Sequence, residues 1–425
     1  FGSNFFTAIG LRYLLIFGIF LTVYKLGEMH YKHKLFAFLA SASLLLFLQF
    51  SVESLRQTHT LLVTFSVGLL VFTISKLIKR PTIFNYFLLG LVLAIGVLSK
   101  YNFVVFALAI LIAGLFIDTY RKYILTPKAA ISIAVLLLLT SPNLYWLYQH
   151  MSAIQSETMA ELQGSGQKTY LPAIASGFSE ILVRILSFSL FFLIAALILI
   201  EGRLKEFWSK PKSEFVLLIG GAIGISMAIL IVIIALFKVT VMHERWLQPL
   251  LFLLTFYFFG AIDSASDYSL SRFKRYAIVL QFTFAIILVY TTIDLTLGHK
   301  ERRITRPYDR FAAYLLSERN IGSKDIDMVA ANTLDLAGNM KFHLSDFDME
   351  LLKPNCSDAS DISFIQHSKK ILLIWDDQDI SNLLECLETR KGGETNIIEE
   401  NTISFNYHYS KDLSHSFSYA IVQFL

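Results

Sequence analysis

The chain has 425 residues, 55% of them hydrophobic and 16% charged, with a mean hydropathy of +0.57, a balance that excludes a set of ordinary soluble domains. Its net charge of +4 is unevenly divided: residues 1–298 carry 23 Lys and Arg against 13 Asp and Glu, and residues 299–425 carry 14 against 20. The basic excess falls in short clusters between apolar runs, which excludes a nucleic-acid binder.

A bilayer-spanning helix needs about 20 mostly apolar residues. Ten segments read as spans, at 9–27, 35–52, 59–75, 83–99, 101–117, 129–148, 180–200, 214–237, 246–262 and 276–297. Nothing like a charged segment or a cleavage site precedes the first, so it reads as a span and not as a signal peptide. Cytoplasmic loops collect Lys and Arg, and alternate connections do so here: Lys25/Lys32/Lys34, Lys76/Lys79/Arg80, Arg121/Lys122/Lys128, Arg203/Lys205/Lys210/Lys212 and Arg272/Lys274/Arg275. The opposite connections hold only Arg56, Lys100, Lys168, Lys238 and Arg245, with Arg12 just inside the first span. This alternation predicts both termini of the chain on the outer side.

Local features refine the map. The segment Ser99-Lys100-Tyr101-Asn102 interrupts a hydrophobic stretch too long for one helix and predicts a tight outer turn. Pro142 inside the sixth span removes a backbone donor and predicts a kink. Gly220 and Gly224 form a GxxxG pair that predicts a close helix-packing face. Residues 151–178 form the longest outer connection, helix-compatible as far as Leu162, and are either a mobile lid or a surface loop.

The tail alternates helix-like segments (308–319, 380–387) with short apolar strands (328–331, 371–375, 403–409, 417–424). The predicted fold class is therefore an all-α polytopic membrane domain of about ten transmembrane helices, residues 1–298, followed by a small soluble α/β domain, residues 299–425. Both cysteines, Cys356 and Cys386, lie in the tail, and their spacing permits one bridge in an oxidising compartment.

Ionisable groups at helix ends on the side poor in positive charge are the informative ones, because they act against the topology rule and are costly at membrane depth. Arg12 at the start of the first span and four outer connections supply them: Glu53, Arg56 and His59; Lys100 with Tyr101 and Asn102; His150 and Arg184 at the two ends of one connection; and His243, Glu244 and Arg245. Glu53, Arg56 and His59 would share a face if the second span ran on by two turns. The alternative for that trio is a solvated helix end, with Thr58 capping the run that His59 begins. Snorkelling would equally explain Arg184. Lys100, in its short turn, is suited to a buried phosphate or carboxylate. Tyr145, Trp146 and Trp246 read either as interfacial belt residues or as an aromatic platform for a sugar.

Cations gathered at an outer membrane interface suit a polyprenyl-phosphate-linked sugar, whose lipid lies in the bilayer and whose phosphate lies at that level. Transfer of the sugar needs Lys, Arg or His beside the phosphate to stabilise the leaving group's charge. It also needs a carboxylate to deprotonate the acceptor hydroxyl, for which Glu53 and Glu244 are the candidates within this sequence. Arg12, Arg56, His59, Lys100, Arg184, His243 and Arg245 are the candidate phosphate ligands; Tyr101, Asn102, Tyr145, Trp146, His150 and Trp246 are the candidate sugar or acceptor contacts. No metal-ligand spacing is present, so a divalent cation is neither implied nor excluded as a cofactor.

Four stretches carry a family resemblance: the opening run from Gly2 to Arg12, Leu89-Gly90-Leu91 followed by Leu98-Ser99-Lys100-Tyr101, Ser141-Pro142-Asn143 through Trp146 with His150, and Arg245-Trp246-Leu247-Gln248-Pro249. They resemble the polytopic GT-C glycosyltransferases of glycosyltransferase family 39, a group that includes protein O-mannosyltransferases and lipid A aminoarabinose transferases. The resemblance implies a multi-pass enzyme of the bacterial inner membrane with a periplasmic C-terminal domain. It would take a sugar from an undecaprenyl-phosphate donor and transfer it to a glycolipid, polysaccharide or protein in building the cell envelope. Family members hold an acidic catalytic pair in a first periplasmic loop. Here no Asp or Glu precedes Glu28, so the resemblance implies a native chain continuing upstream of Phe1 with that pair.

Two other functions fit the same charges. A secondary transporter or lipid flippase would line a path with them, although no internal repeat is visible and the charges gather on one side. A non-catalytic fragment would retain the donor site alone.

Overall fold

The structure is a computed structural model. It describes residues 5–424 apart from 53–58, 152–154, 156–157, 160–161, 164–168, 201–203, 266–269, 298–300, 302–304, 320, 323–324, 353–367, 377–380, 392–394 and 411. The chain divides into two compact units, Leu11–Val289 and Tyr290–Leu425 with Phe1–Gly10.

All ten predicted spans fall on apolar helices, but the helices differ in reach. Seven are long and apolar enough to cross a bilayer: Ile9–His30, His59–Lys79, Ala129–Gln149, Tyr170–Ile200, Glu214–Phe237, Glu244–Ser264 and Ser271–Thr296. An eighth is a pair, Phe103–Leu115 and Asp118–Ile124, bent by 117° where Ile117 adopts an extended conformation. The last two, Lys34–Leu46 and Ile83–Ser99, are shorter. The protein is a multi-pass membrane protein.

For the site, the relevant elements are α1 (Phe5–His30), α2 (Lys34–Ala42), α3 (Leu48–Ser51), α4 (His59–Lys79), α5 (Ile83–Ser99), α6 (Phe103–Leu115), α7 (Asp118–Ile124), α8 (Ala129–Gln149) and α9 (Tyr170–Ile200). After α10 (Leu204–Ser209) and α11 (Glu214–Phe237), the penultimate span is broken at Phe252 into α12 (Glu244–Leu251) and α13 (Leu253–Ala265), followed by α14 (Leu270–Thr296).

Ser99 ends α5 and Phe103 begins α6, which is the expected tight turn at Lys100. At Gly90 a Cβ would come within 2.5 Å of the Ser132 carbonyl, so glycine lets α5 and α8 touch backbone to backbone. Ser132 Oγ then donates to the Tyr86 carbonyl at 2.7 Å across the same contact. Phe47 anchors the α2–α3 connection against α9, with ring centroids 5.0 Å from Phe188 and 5.1 Å from Phe192.

Helix α8 runs through Pro142, and the Leu138 carbonyl that the missing N–H would have served accepts Ser141 Oγ at 2.9 Å. Two expectations change. Of the GxxxG pair, Gly220 abuts the Tyr257 ring of α13 while Gly224 has nothing within 4 Å; the neighbouring Gly221 meets Ala113 of α6, so the two close contacts are made by consecutive glycines against two different helices. The seventh helix begins at Tyr170, not 180, which puts Arg184 about 21 Å from its start at 1.5 Å per residue, where one turn had been expected.

In the other unit, α15 (Tyr308–Ala313), β1 (Met328–Ala331), α16 (Leu334–His343), β2 (Met349–Leu351), β3 (Lys370–Trp375), α17 (Ser381–Lys391), β4 (Thr395–Asn406) and β5 (Ser414–Phe424) form an α/β layer structure. The sheet order is β2-β1-β3-β5-β4, with β2, β1 and β3 parallel and β5 and β4 antiparallel. Side chains alternate between two cores. Val329, Leu372, Ile374 and Tyr419 face Phe311, Leu336 and Met340, whereas Met328, Ile371, Leu373 and Val422 face Leu383 and Leu387. Cys386, in the second core, is fully buried and disulfide-bonded; Cys356 lies outside the described residues.

Candidate functional site

The N-terminal turn of α12 gathers the predicted residues. His243 is its N-cap in extended conformation and makes no side-chain capping bond, so the first-turn N–H groups are not satisfied by a side-chain cap. Glu244, the first helical residue, accepts Gln49 Nε2 on Oε2 at 2.9 Å and Ser187 Oγ on Oε1 at 2.8 Å. Arg184 NH1 stands 3.6 Å from Glu244 Oε1, and Arg184 Nε donates to Glu180 Oε2 at 3.0 Å. Glu180, Arg184 and Ser187 repeat at i, i+4 and i+7 along α9, so one helix face delivers all three. Three elements, α3, α9 and α12, thus lock one carboxylate and one guanidinium together.

On the other side of the same turn, the Lys100 ammonium lies 6.0 Å from the Trp246 ring centroid, and the His243 ring meets that indole edge-on at 4.8 Å. The turn's next residue, Tyr101, donates its hydroxyl to Asn143 Oδ1 at 3.3 Å and so ties the Lys100 turn to α8. Asn102 Oδ1 is buried without a hydrogen-bond partner among the described residues. Near the end of α8, Trp146 stacks on His150 at 4.5 Å and remains half exposed, and Tyr145 is exposed.

The structure therefore brings together Lys100, Arg184, His243, Glu244 and Trp246, and links Tyr101 to them through the turn. Arg245 points to the exposed side. Arg12 packs over the Tyr13 ring at 4.7 Å. His59 is exposed and opens helix α4. Glu53 and Arg56, with which it was expected to share a face, lie outside the described residues. No group of three or more metal-ligating side chains occurs among the described residues.

Sequence reasoning missed Gln49, Ser187 and Gln248. Gln49 was visible as an amide inside an apolar span, where an unpaired polar group is costly. Ser187 is one turn beyond Arg184. Gln248, one turn after Glu244, is 3% exposed, and its Nε2 has no hydrogen-bond partner among the described residues.

Polar residues meeting at the N-terminal turn of α12, in a unit of apolar helices with a separate α/β unit, define the class: a polytopic membrane protein with a small α/β domain. Residues 1–146 match the family model for dolichyl-phosphate-mannose-protein mannosyltransferase. The chain is 26% identical over 333 residues to the lipopolysaccharide core galacturonosyltransferase RgtB of Rhizobium johnstonii, covering 77% of this chain and 66% of that protein. It is 24% identical over 330 residues to RgtA of the same organism, covering 75% and 63%. The chain thus spans slightly less than two thirds of the length of these curated relatives. In fold it matches ArnT from Cupriavidus metallidurans, whose structure was solved bound to undecaprenyl phosphate. The TM-score is 0.57 and the identity 10%, over 97% of this chain and 83% of that one.

Proposed function

We propose that the protein is a glycosyltransferase of the bacterial inner membrane that moves a sugar from a polyprenyl-phosphate donor to a cell-envelope glycolipid at the periplasmic face. The observation that carries the reading is the convergence of Lys100, Arg184 and His243, from three separate segments, on the N-terminal turn of α12. A helix N-terminus with nearby cations suits a phosphate, and the relatives' names supply the sugar-transfer chemistry.

In this reading Lys100 and His243 face the donor phosphate and stabilise the charge that builds on it as the glycosidic bond breaks. Glu244 has both oxygens engaged, so it acts as the carboxylate that positions Arg184, and not as the base for the acceptor. Tyr101, Trp146 and Trp246 supply hydroxyl and ring surfaces for the sugar. The disulfide-bonded Cys386 in the C-terminal domain suits an oxidising compartment, which favours the periplasmic side.

The test uses the protein in membrane vesicles with an undecaprenyl-phosphate-linked sugar and isolated lipopolysaccharide core. Sugar transfer without an ion gradient, lost in Lys100→Ala with insertion intact, is the expected result. Gradient-driven uptake without transfer would overturn the reading in favour of transport.

A further inference from the structure

Glu244 and Arg184 are neighbours, yet they do not close on each other. A carboxylate and a guanidinium left to themselves approach to about 2.7–2.9 Å and form two parallel bonds. Here Glu244 Oε1 stays 3.6 Å from Arg184 NH1, and the one hydrogen bond that the guanidinium makes among the described residues is that of Nε to Glu180 Oε2, at 3.0 Å. The two neutral partners of Glu244 hold it more tightly. Gln49 Nε2 donates to Oε2 at 2.9 Å and Ser187 Oγ to Oε1 at 2.8 Å, so neither oxygen is left over for Arg184.

Gln49 reaches Glu244 because of how its own segment is built. Phe47 is extended and interrupts the helical path between Ser43–Leu46 and α3. Its ring packs on Phe188 and Phe192 of α9, the first of which adjoins Ser187. Phe50, 3% exposed, meets the same ring edge-on at 6.4 Å. The single turn of α3 is thus anchored by its apolar residues, and the amide of Gln49, a residue only 7% exposed, is committed to Glu244. A polar group among apolar helices is costly without such a partner.

We infer that Gln49 is a positioning residue: by holding Glu244 Oε2 it keeps the carboxylate from closing on Arg184 and leaves the terminal nitrogens of the guanidinium for a phosphate. The inference rests on the donor reading above and deepens it. With Nε taken by Glu180, those two nitrogens form the fork that matches a pair of phosphate oxygens. A bidentate pair with Glu244 would occupy the same fork. An uncharged amide suits the task, because it satisfies the carboxylate without adding a second cation that would compete for the phosphate. Ser187 acts in the same sense on Oε1.

The experiment is native mass spectrometry of the full chain in detergent micelles, titrated with undecaprenyl phosphate and with undecaprenol as the uncharged control. Gln49→Met keeps the length of the side chain and removes its amide. It should weaken undecaprenyl phosphate binding about tenfold, the worth of one charge-assisted bond, and leave undecaprenol binding unchanged. In a Glu244→Gln background the carboxylate that would close on Arg184 is gone, so Gln49→Met should cause no further loss there. Unchanged phosphate binding in Gln49→Met, equal weakening for both lipids, or additive losses in the double variant overturns the inference, as does a wild type that binds the two lipids alike. If Gln49→Met does not fold, Ser187→Ala, which frees the oxygen facing Arg184, decides by the same readouts. Phosphate-selective binding that follows these changes, with no sugar transfer from a loaded donor, supports the inference and counts against the proposed reaction alone.

Discussion

Two Arg–carboxylate pairs organise the two units, and they differ in depth. Arg184 and Glu244 in the membrane unit stand 3.6 Å apart with side chains 37% and 22% exposed. Arg306 and Asp376 in the C-terminal unit stand 2.9 Å apart at 18% and 8%. A partly exposed pair contributes little to stability, since screening and side-chain entropy offset the attraction. A buried pair cannot lose one member without stranding a charge. The first can therefore be spent on chemistry, whereas the second is bound up with its domain's fold.

The largest expected effect follows from that difference. Arg306→Met should destabilise the C-terminal domain by about 3 kcal/mol, by leaving the buried Asp376 without its guanidinium partner. Hydrogen exchange of the β1 and β3 amides measures it, and unchanged protection would erase the contrast. Arg184→Ala should leave that protection untouched but lower sugar transfer about 100-fold, the usual loss when one charge-stabilising donor is removed. Equal loss of stability and transfer would show that Arg184 is structural. Glu244→Gln keeps an acceptor oxygen for only one of Gln49 and Ser187 and removes the charge that holds Arg184, and a transfer loss of about tenfold, smaller than that of Arg184→Ala, is expected from one weakened ion pair. A loss as large as that of Arg184→Ala would instead point to direct chemistry by Glu244.

The smallest effect is one of pH. Tyr419 is pushed up to about 12 by burial and by its hydrogen bond to Glu399, with Arg319 opposing. A hydroxyl raised above its unfolded value contributes stability that is complete below about pH 10 and is lost as the pH rises through the folded value. The melting temperature of the C-terminal domain should therefore fall between pH 10 and 12, and less steeply in Tyr419→Phe. The same slope in both proteins would remove Tyr419 from the account.

Part of the site was legible because it contradicted its surroundings. Lys100, Arg184, His243 and Glu244 are charged or titratable groups at the ends of apolar runs, on the side where cations are rare. Their partners were harder to read. Gln49 and Ser187 are uncharged, and nothing local announces that one carboxylate on α12 will need both. In the C-terminal domain, β1 was read to the residue, and β3 and β5 were placed within a few residues, because each is a compact apolar run. The first part of β4 was missed because Thr395 to Asn401 is polar; as an edge strand paired only with β5, it keeps mostly exposed side chains. Strand β2 and helix α16 were missed for a related reason: three half-buried residues and a short helix give too little periodicity.

The sequence by itself determined that the chain crosses a membrane many times, where the helices lie, and that an α/β unit follows, because apolar length and period are properties of consecutive residues. Only the tertiary structure decided that α3, α9 and α12 meet at Glu244, that α5 and α8 touch at Gly90, and that Asn332 and Asp376 stand side by side across 43 intervening positions. Hydrogen bonds and close packing depend on which surfaces oppose each other in space, and a linear pattern carries no record of that.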